Sequence, residues 1–234
     1  MRRVRDAIVR ALQLQPTRGE LLAPRPYGPG DPARTIDWRA TARSGRIMAR
    51  EYAHIRELRW CAVVDDSPSM HAGAPRPPFD AALSAAAAWR ECACASDAWL
   101  GVYATGKSSL QQALHRLLPV LPARCALLWV SDFYDLEGSR EALGAFAKRF
   151  VCAALVVSDP WPDGLPRGGA LRAADSENGR VLRLRAGAVE RARYIHAAAA
   201  REAAVADYLR GCGWRAAGLR GDAKPALALA FALT

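Results

Sequence analysis

The sequence predicts an α/β protein, with a mostly parallel sheet covered by helices on both faces and an irregular N-terminal extension. Three observations predict it. From residue 58 onward, short apolar stretches alternate with helix-like stretches of ten residues or more. Strands separated by helices of that length pair in parallel and are covered on both sides. The runs 125–130 (CALLWV) and 151–157 (VCAALVV) are almost continuously apolar, as central parallel strands are. Finally, the apolar runs 58–64 and 125–131 each end in an aspartate, Asp65 and Asp132.

The elements follow in order. Residues 1–13 suit a short amphipathic helix with Val4, Ile8 and Leu12 on one face. Residues 23–35 are rich in Pro and Gly and read as loop or turn. They belong to a leading region, 1–57, that does not look like a regular βα unit and is expected to pack on the main domain, 58–234. Within the main domain the pattern gives a strand at 58–64, a helix at 79–95, a strand at 98–104 and a helix at 109–118. It continues with a strand at 125–130, a helix at 137–149 and a strand at 151–157. Stretches 169–173 and 181–185 flank the turn-prone Asp175-Ser176-Glu177-Asn178-Gly179 and suit a hairpin. A long helix at 187–210, a strand near 213–219 and a helix near 223–232 complete the chain.

Composition narrows the function. Half of the 234 residues are apolar and the net charge is +10, which excludes global disorder. Residues 1–59 hold thirteen arginines against six acidic residues. Such a segment can meet nucleic acid, an acidic protein or an anionic membrane surface. Without interleaved aromatic and basic residues, nucleic acid is disfavoured. Cys61, Cys125 and Cys152 lie in apolar runs and read as core residues. Without a C-x-x-C pair, zinc is not expected. Arg10 interrupts the only apolar stretch near the start, and no apolar run approaches ~18 residues. The expectation is a cytoplasmic protein with no transmembrane segment.

The chemistry gathers at the two strand ends. Asp65 is followed by Ser67 and Ser69 at alternate positions in a tight loop. One carboxylate and two hydroxyls so spaced point into one small space, with Asp132 ending a second strand nearby. These are hard oxygen donors, suited to magnesium or manganese. A simpler reading makes Ser67-Pro68-Ser69 a turn that caps the following helix.

Here the sequence resembles a known group. Asp65-x-Ser67-x-Ser69 followed by Met70 resembles the metal-ion-dependent adhesion site of von Willebrand factor A domains. Upstream, Tyr27-Gly28-Pro29-Gly30-Asp31, Arg34-Thr35-Ile36-Asp37-Trp38 and Thr41-Ala42-Arg43 resemble the signature of a bacterial family within that superfamily, domain of unknown function family 58. Arg50-Glu51, Arg56-Glu57-Leu58 and Ser131-Asp132-Phe133 resemble further segments of it. The resemblance implies a Rossmann-like A-domain and a protein-binding role. The expected partner is a MoxR-type AAA+ ATPase or its client, in chaperone-like maturation of other proteins. By motif position, Asp65, Ser67, Ser69 and Asp132 would be the metal ligands. Pro32 departs from the family pattern, and the stretch between the strands at 98–104 and 125–130 is shortened. A threonine usually drawn from that stretch would be replaced by Thr105, Ser108 or Ser109, and Ser108 is preferred. Tyr27, Ile36 and Trp38 are expected to pin the leading region to the domain, with Asp31, Arg34, Asp37 and Arg43 pairing among themselves.

Residues Gly101 to Ser108 also match the phosphate-binding loop G-x-x-x-x-G-K-[ST], with Lys107 and Ser108 as its nucleotide contacts. Val102-Tyr103 continue a strand pattern through the supposed loop, which disfavours nucleotide binding. His71 is expected at the surface, and adjacent Asp65 and Asp66 should diverge. The expectation is therefore a binding module that is not an enzyme. A nucleotide-binding protein and a metal-free scaffold with a basic contact surface are the alternatives.

Overall fold

Five parallel strands form the sheet that positions the site. In the computed structural model, residues 1–14, 24–29, 31–50, 58–73, 76–95, 97–106, 109–122, 125–158, 161, 168–176 and 179–232 are described. They fall into two units, residues 1–12 with 58–234, and residues 13–57.

In the larger unit, labelled by itself, the elements are α1 (Arg2–Leu14), β1 (Arg59–Val64), α2 (Pro68–His71), α3 (Pro78–Arg90), β2 (Ala98–Ala104) and α4 (Leu110–Val120). There follow β3 (Cys125–Ser131), α5 (Arg140–Arg149), β4 (Val151–Val157), β5 (Gly169–Ala174) and β6 (Val181–Ala186). The last are α6 (Ala188–Gly211), β7 (Arg215–Leu219) and α7 (Ala223–Ala232). The sheet order is β2-β1-β3-β4-β7, parallel throughout. β5 and β6 form the expected hairpin as a separate two-stranded antiparallel sheet. This is a mixed α/β architecture with a parallel five-stranded sheet flanked by helices, consistent with an A-domain or Rossmann-like fold. No helix among the described residues is long and apolar enough to cross a membrane.

Alternation along each strand builds two cores. Trp60, Ala62, Val64, Leu128, Val130 and Leu155 face one side, where they meet Val4 and Ile8 of α1, Trp89 of α3 and Leu227 of α7. Cys61, Val63, Leu127, Trp129 and Val156 face the other, against Leu114 of α4, Phe146 of α5 and Leu209 of α6. Each large side chain buried this way contributes about 1.5–3 kcal/mol. Trp89 also satisfies its indole N–H by donating to the Cys61 carbonyl at 3.0 Å. The helix at the N-terminus thus groups with the α/β unit through Val4 and Ile8, while the side chain of Leu12 lies outside the described residues. Its Arg5 donates to Asp97 at 3.3 and 3.2 Å.

The smaller unit is organised by capping and charge. Asp37 caps the helix Trp38–Ser44, accepting from the backbone N–H groups of Arg39 and Ala40 at 3.0 Å. Two residue pairs, Arg25 with Ala49 and Pro26 with Met48, form a short antiparallel ladder. Two expectations are corrected here. Asp31 pairs with Arg25, at 2.7 and 2.6 Å, and Asp37 with Arg50, at 3.6 Å. The ladder starts at Arg25, which brings it within reach of Asp31. Trp38 is 68% exposed, so it is not a buried anchor.

Candidate functional site

The chain passes from β1 through α3 to β2 on one side, and from β3 through α5 to β4 on the other. The switch point therefore lies between β1 and β3, where ligands bind beyond the carboxyl ends of open parallel sheets. Asp65 and Asp132 follow these two strands directly, and the Asp65 N–H donates to the Val130 carbonyl at 2.9 Å.

Asp65 is the hub. Its Oδ1 accepts from the Ser67 backbone N–H at 2.9 Å and from the Thr105 hydroxyl at 3.3 Å. Its Oδ2 accepts from the Ser131 hydroxyl at 2.5 Å. Ser67 and Ser69 bring their hydroxyl oxygens to 3.0 Å of each other. Ser69 in turn hydrogen-bonds Asp132. Ser67 sits at the N-cap of α2, but its side chain makes no capping bond. The turn of the simpler reading is present, with the Met70 N–H donating to the Ser67 carbonyl at 3.0 Å, but the Ser67 hydroxyl does no capping.

Asp132 is 9% exposed. Burial pushes its carboxyl above the usual range, and the charge of Asp65 adds to this, against the hydrogen bond from Ser69 and the charge of Arg201. Arg201 donates to the Asp132 main-chain carbonyl at 2.9 Å and lies over the Tyr134 ring at 3.5 Å. Phe133, buried at φ 52°, turns the chain sharply after Asp132, and its N–H donates to the Ser131 hydroxyl at 2.9 Å. That left-handed conformation is uncommon for a bulky residue. A cavity of about 530 Å³ opens over Asp65, Ser67, Ser69, Thr105, Ser131 and Asp132.

The expected residues Asp65, Ser67, Ser69 and Asp132 line one cavity. Ser108 lies outside the described residues, as does Lys107. Thr105 stands beside Asp65, and Ser109 lines the cavity while accepting from the Gln112 N–H at the start of α4. Ser131 entered the sequence reading only as part of the Ser131-Asp132-Phe133 motif, with no role at the site, and Arg201 did not enter it at all. Ser131 precedes a strand-end aspartate, a usable signal, whereas Arg201 lies 69 residues from Asp132 and carries none. Asp66 diverges from Asp65 and pairs with His71 at 2.6 Å. Gly101, Val102, Tyr103 and Ala104 are strand residues paired in parallel with β1, which leaves no loop there to wrap a phosphate.

The donor set is two carboxylates with the hydroxyls of Ser67, Ser69 and Thr105, all oxygen, and it fits a hard divalent cation. Among the described residues no group of three or more His, Cys, Asp or Glu side chains assembles, so an ion here would rest on hydroxyls as well as carboxylates. Fold and site together define an α/β domain with an oxygen-donor cluster at its switch point. A family model described as "Protein of unknown function DUF58" matches residues 23–107 and 101–204, and the chain belongs to that family. It is similar to uncharacterized protein Rv1480 of Mycobacterium tuberculosis (strain ATCC 25618 / H37Rv), at 30% identity over 232 residues. Uncharacterized protein Mb1516 of Mycobacterium bovis (strain ATCC BAA-935 / AF2122/97) shows the same identity. Each match covers 85% of this chain and 73% of the relative. No solved structure matches the chain.

Proposed function

We propose that this protein is a non-enzymatic protein-binding module that holds magnesium or manganese at Asp65, Ser67, Ser69, Thr105 and Asp132. The observation that carries the reading is the Ser67 hydroxyl, which stands at an N-cap without capping and turns instead to Ser69 beside Asp65. Asp65 and Asp132 bring the negative charge. Ser131 fixes the Asp65 carboxylate through Oδ2, leaving Oδ1 toward the Thr105 hydroxyl. A divalent cation supplies positive charge that draws a carboxylate from a partner protein. Two ligand carboxylates leave room for that third one, which is the logic of an adhesion-type contact.

The partner we propose is a MoxR-type AAA+ ATPase or its client, in a chaperone-like maturation process within the cytoplasm. Family resemblance supports that choice. Surface plasmon resonance with the ATPase from the same cell checks it. The expected result is binding in magnesium that chelator abolishes, with no ATP turnover by this chain alone. Binding that chelator leaves unchanged would move the contact away from the metal site and favour a basic surface.

A further inference from the structure

The β5–β6 hairpin has two chemically distinct faces. Directly opposed residues share a face, and the register sets Leu171 against Leu184 and Ala173 against Leu182 on one of them. On the other, Arg172 faces Arg183 and Ala170 faces Arg185. Burial divides the faces on β5 alone, where Leu171 and Ala173 are half-buried and Ala170 and Arg172 exposed; on β6 the leucines Leu182 and Leu184 are exposed together with Arg183 and Arg185. Among the described residues, none of these three arginines makes an ion pair.

Such a ribbon is incomplete on two counts. Like charges directly opposed across strands are destabilising, and a two-stranded sheet is marginal in water. Among the described residues, β5 and β6 pair only with each other, so each keeps an open outer edge. We propose that this hairpin receives an extended segment of a partner protein as a third strand, with acidic and apolar residues alternating along it. Residues two apart on a strand are spaced by roughly 6.6 Å and share a face. Acidic residues so spaced would meet Arg172, Arg183 and Arg185, and the intervening apolar residues would extend the leucine face. Main-chain hydrogen bonds to the open edge supply the register, as in other strand additions.

The alternatives fit less well. A single-stranded nucleic acid wants aromatic platforms beside its basic groups, and the arginine face carries Ala170, Ala174 and Val181 instead. A membrane surface wants a broad apolar face free, yet here only Leu182 and Leu184 stand exposed, while Leu171 and Ala173 beside them are half covered by the chain itself. The proposal needs no cation at the metal site.

The test uses the whole protein in chelator, with a fluorescent (Glu-Val)4 peptide followed by anisotropy. Expected is binding about tenfold or more tighter than that of a Glu4Val4 block peptide of equal composition, and loss of binding when alternate backbone nitrogens are methylated. The pair Arg172→Glu with Arg183→Glu should lose the acidic peptide and gain (Lys-Val)4, a reversal that simple damage to the hairpin cannot produce. If that variant does not fold, Arg172→Gln with Arg183→Gln should still weaken (Glu-Val)4. Equal binding of the block peptide, or binding indifferent to the arginine substitutions, would overturn the proposal. So would arginine-dependent binding of an oligonucleotide or phosphatidylserine vesicles without binding of the peptide.

Discussion

The two edges of the central sheet treat aspartate in opposite ways. At the amino edge, Asp97 precedes β2 with its side chain 1% exposed. Its carboxylate accepts from Arg5, from the Trp60 indole at 3.1 Å and from the Cys94 N–H at 3.0 Å. Burial pushes its carboxyl up, yet hydrogen bonds from Cys94 and the charge and hydrogen bond of Arg5 bring it below the ordinary value. At the carboxyl edge, Asp132 is also buried, but Asp65 stands close by and Arg201 gives its hydrogen bond to the Asp132 main-chain carbonyl. There the carboxyl is raised. A buried carboxylate that closes a structure comes with its own cation and donors. At Asp132 the hydrogen bonds from Ser69 and the Tyr134 N–H and the charge of Arg201 do not outweigh burial beside a second carboxylate.

The largest effect should come from breaking the compensated edge. Asp97→Ala removes the acceptor of Arg5, Trp60 and Cys94 and should destabilise the protein by about 2–4 kcal/mol in denaturant unfolding. Fraying of α1 should appear in hydrogen exchange as increased exchange at residues 2–9. A smaller loss is expected at Gly101, which lies at φ 121° after the one irregularity in β2, where Trp60 pairs with Trp99 and Cys61 with Gly101. Gly101→Val should cost about 1–2 kcal/mol. By disturbing the strand that leads into Thr105, it should also weaken cation binding.

At the uncompensated edge the sign reverses. Asp132→Asn removes a raised carboxylate and should stabilise the chelator-treated protein by about 1 kcal/mol at neutral pH, read as a higher thermal midpoint. A loss of stability would mean that Asp132 is structurally compensated after all. The smallest effect extends the comparison to the other unit, where Asp31 is compensated. Hydrogen bonds from Arg25 and from the Gly28 N–H hold its carboxyl at about 2. Because that value is depressed, its contribution is present above the ordinary carboxylate range and disappears as pH falls through about 2. A carboxyl NMR titration should place the Asp31 midpoint there, and Arg25→Gln should return it toward the ordinary value.

Much of this was legible in the sequence because strand and helix periods differ and because buried parallel strands are apolar throughout. The runs 125–130 and 151–157 became the central strands, and Asp65 and Asp132 followed strands as expected. Tertiary detail was not legible. The extra residue at Leu100 in β2 leaves no compositional trace, yet the strand that contains it delivers Thr105 to Asp65. Ser131 looked like the last residue of a strand, and its hydroxyl instead orients Asp65. Asp31 was expected to pair within the set Arg34, Asp37 and Arg43, yet it pairs with Arg25, whose place in the ladder with Met48–Ala49 had no signal in the sequence. Trp38 carried the strongest apolar signal of its segment and is exposed, because it occupies the first turn of a short helix that buries only Ala40.

The central claim is that the carboxyl edge holds a divalent cation. Isothermal titration of chelator-stripped protein with magnesium and with manganese, beside Asp65→Ala, tests it most directly. The prediction is one saturable site in the native chain and none in the variant. Binding that survives Asp65→Ala, or no binding by the native chain, would contradict it.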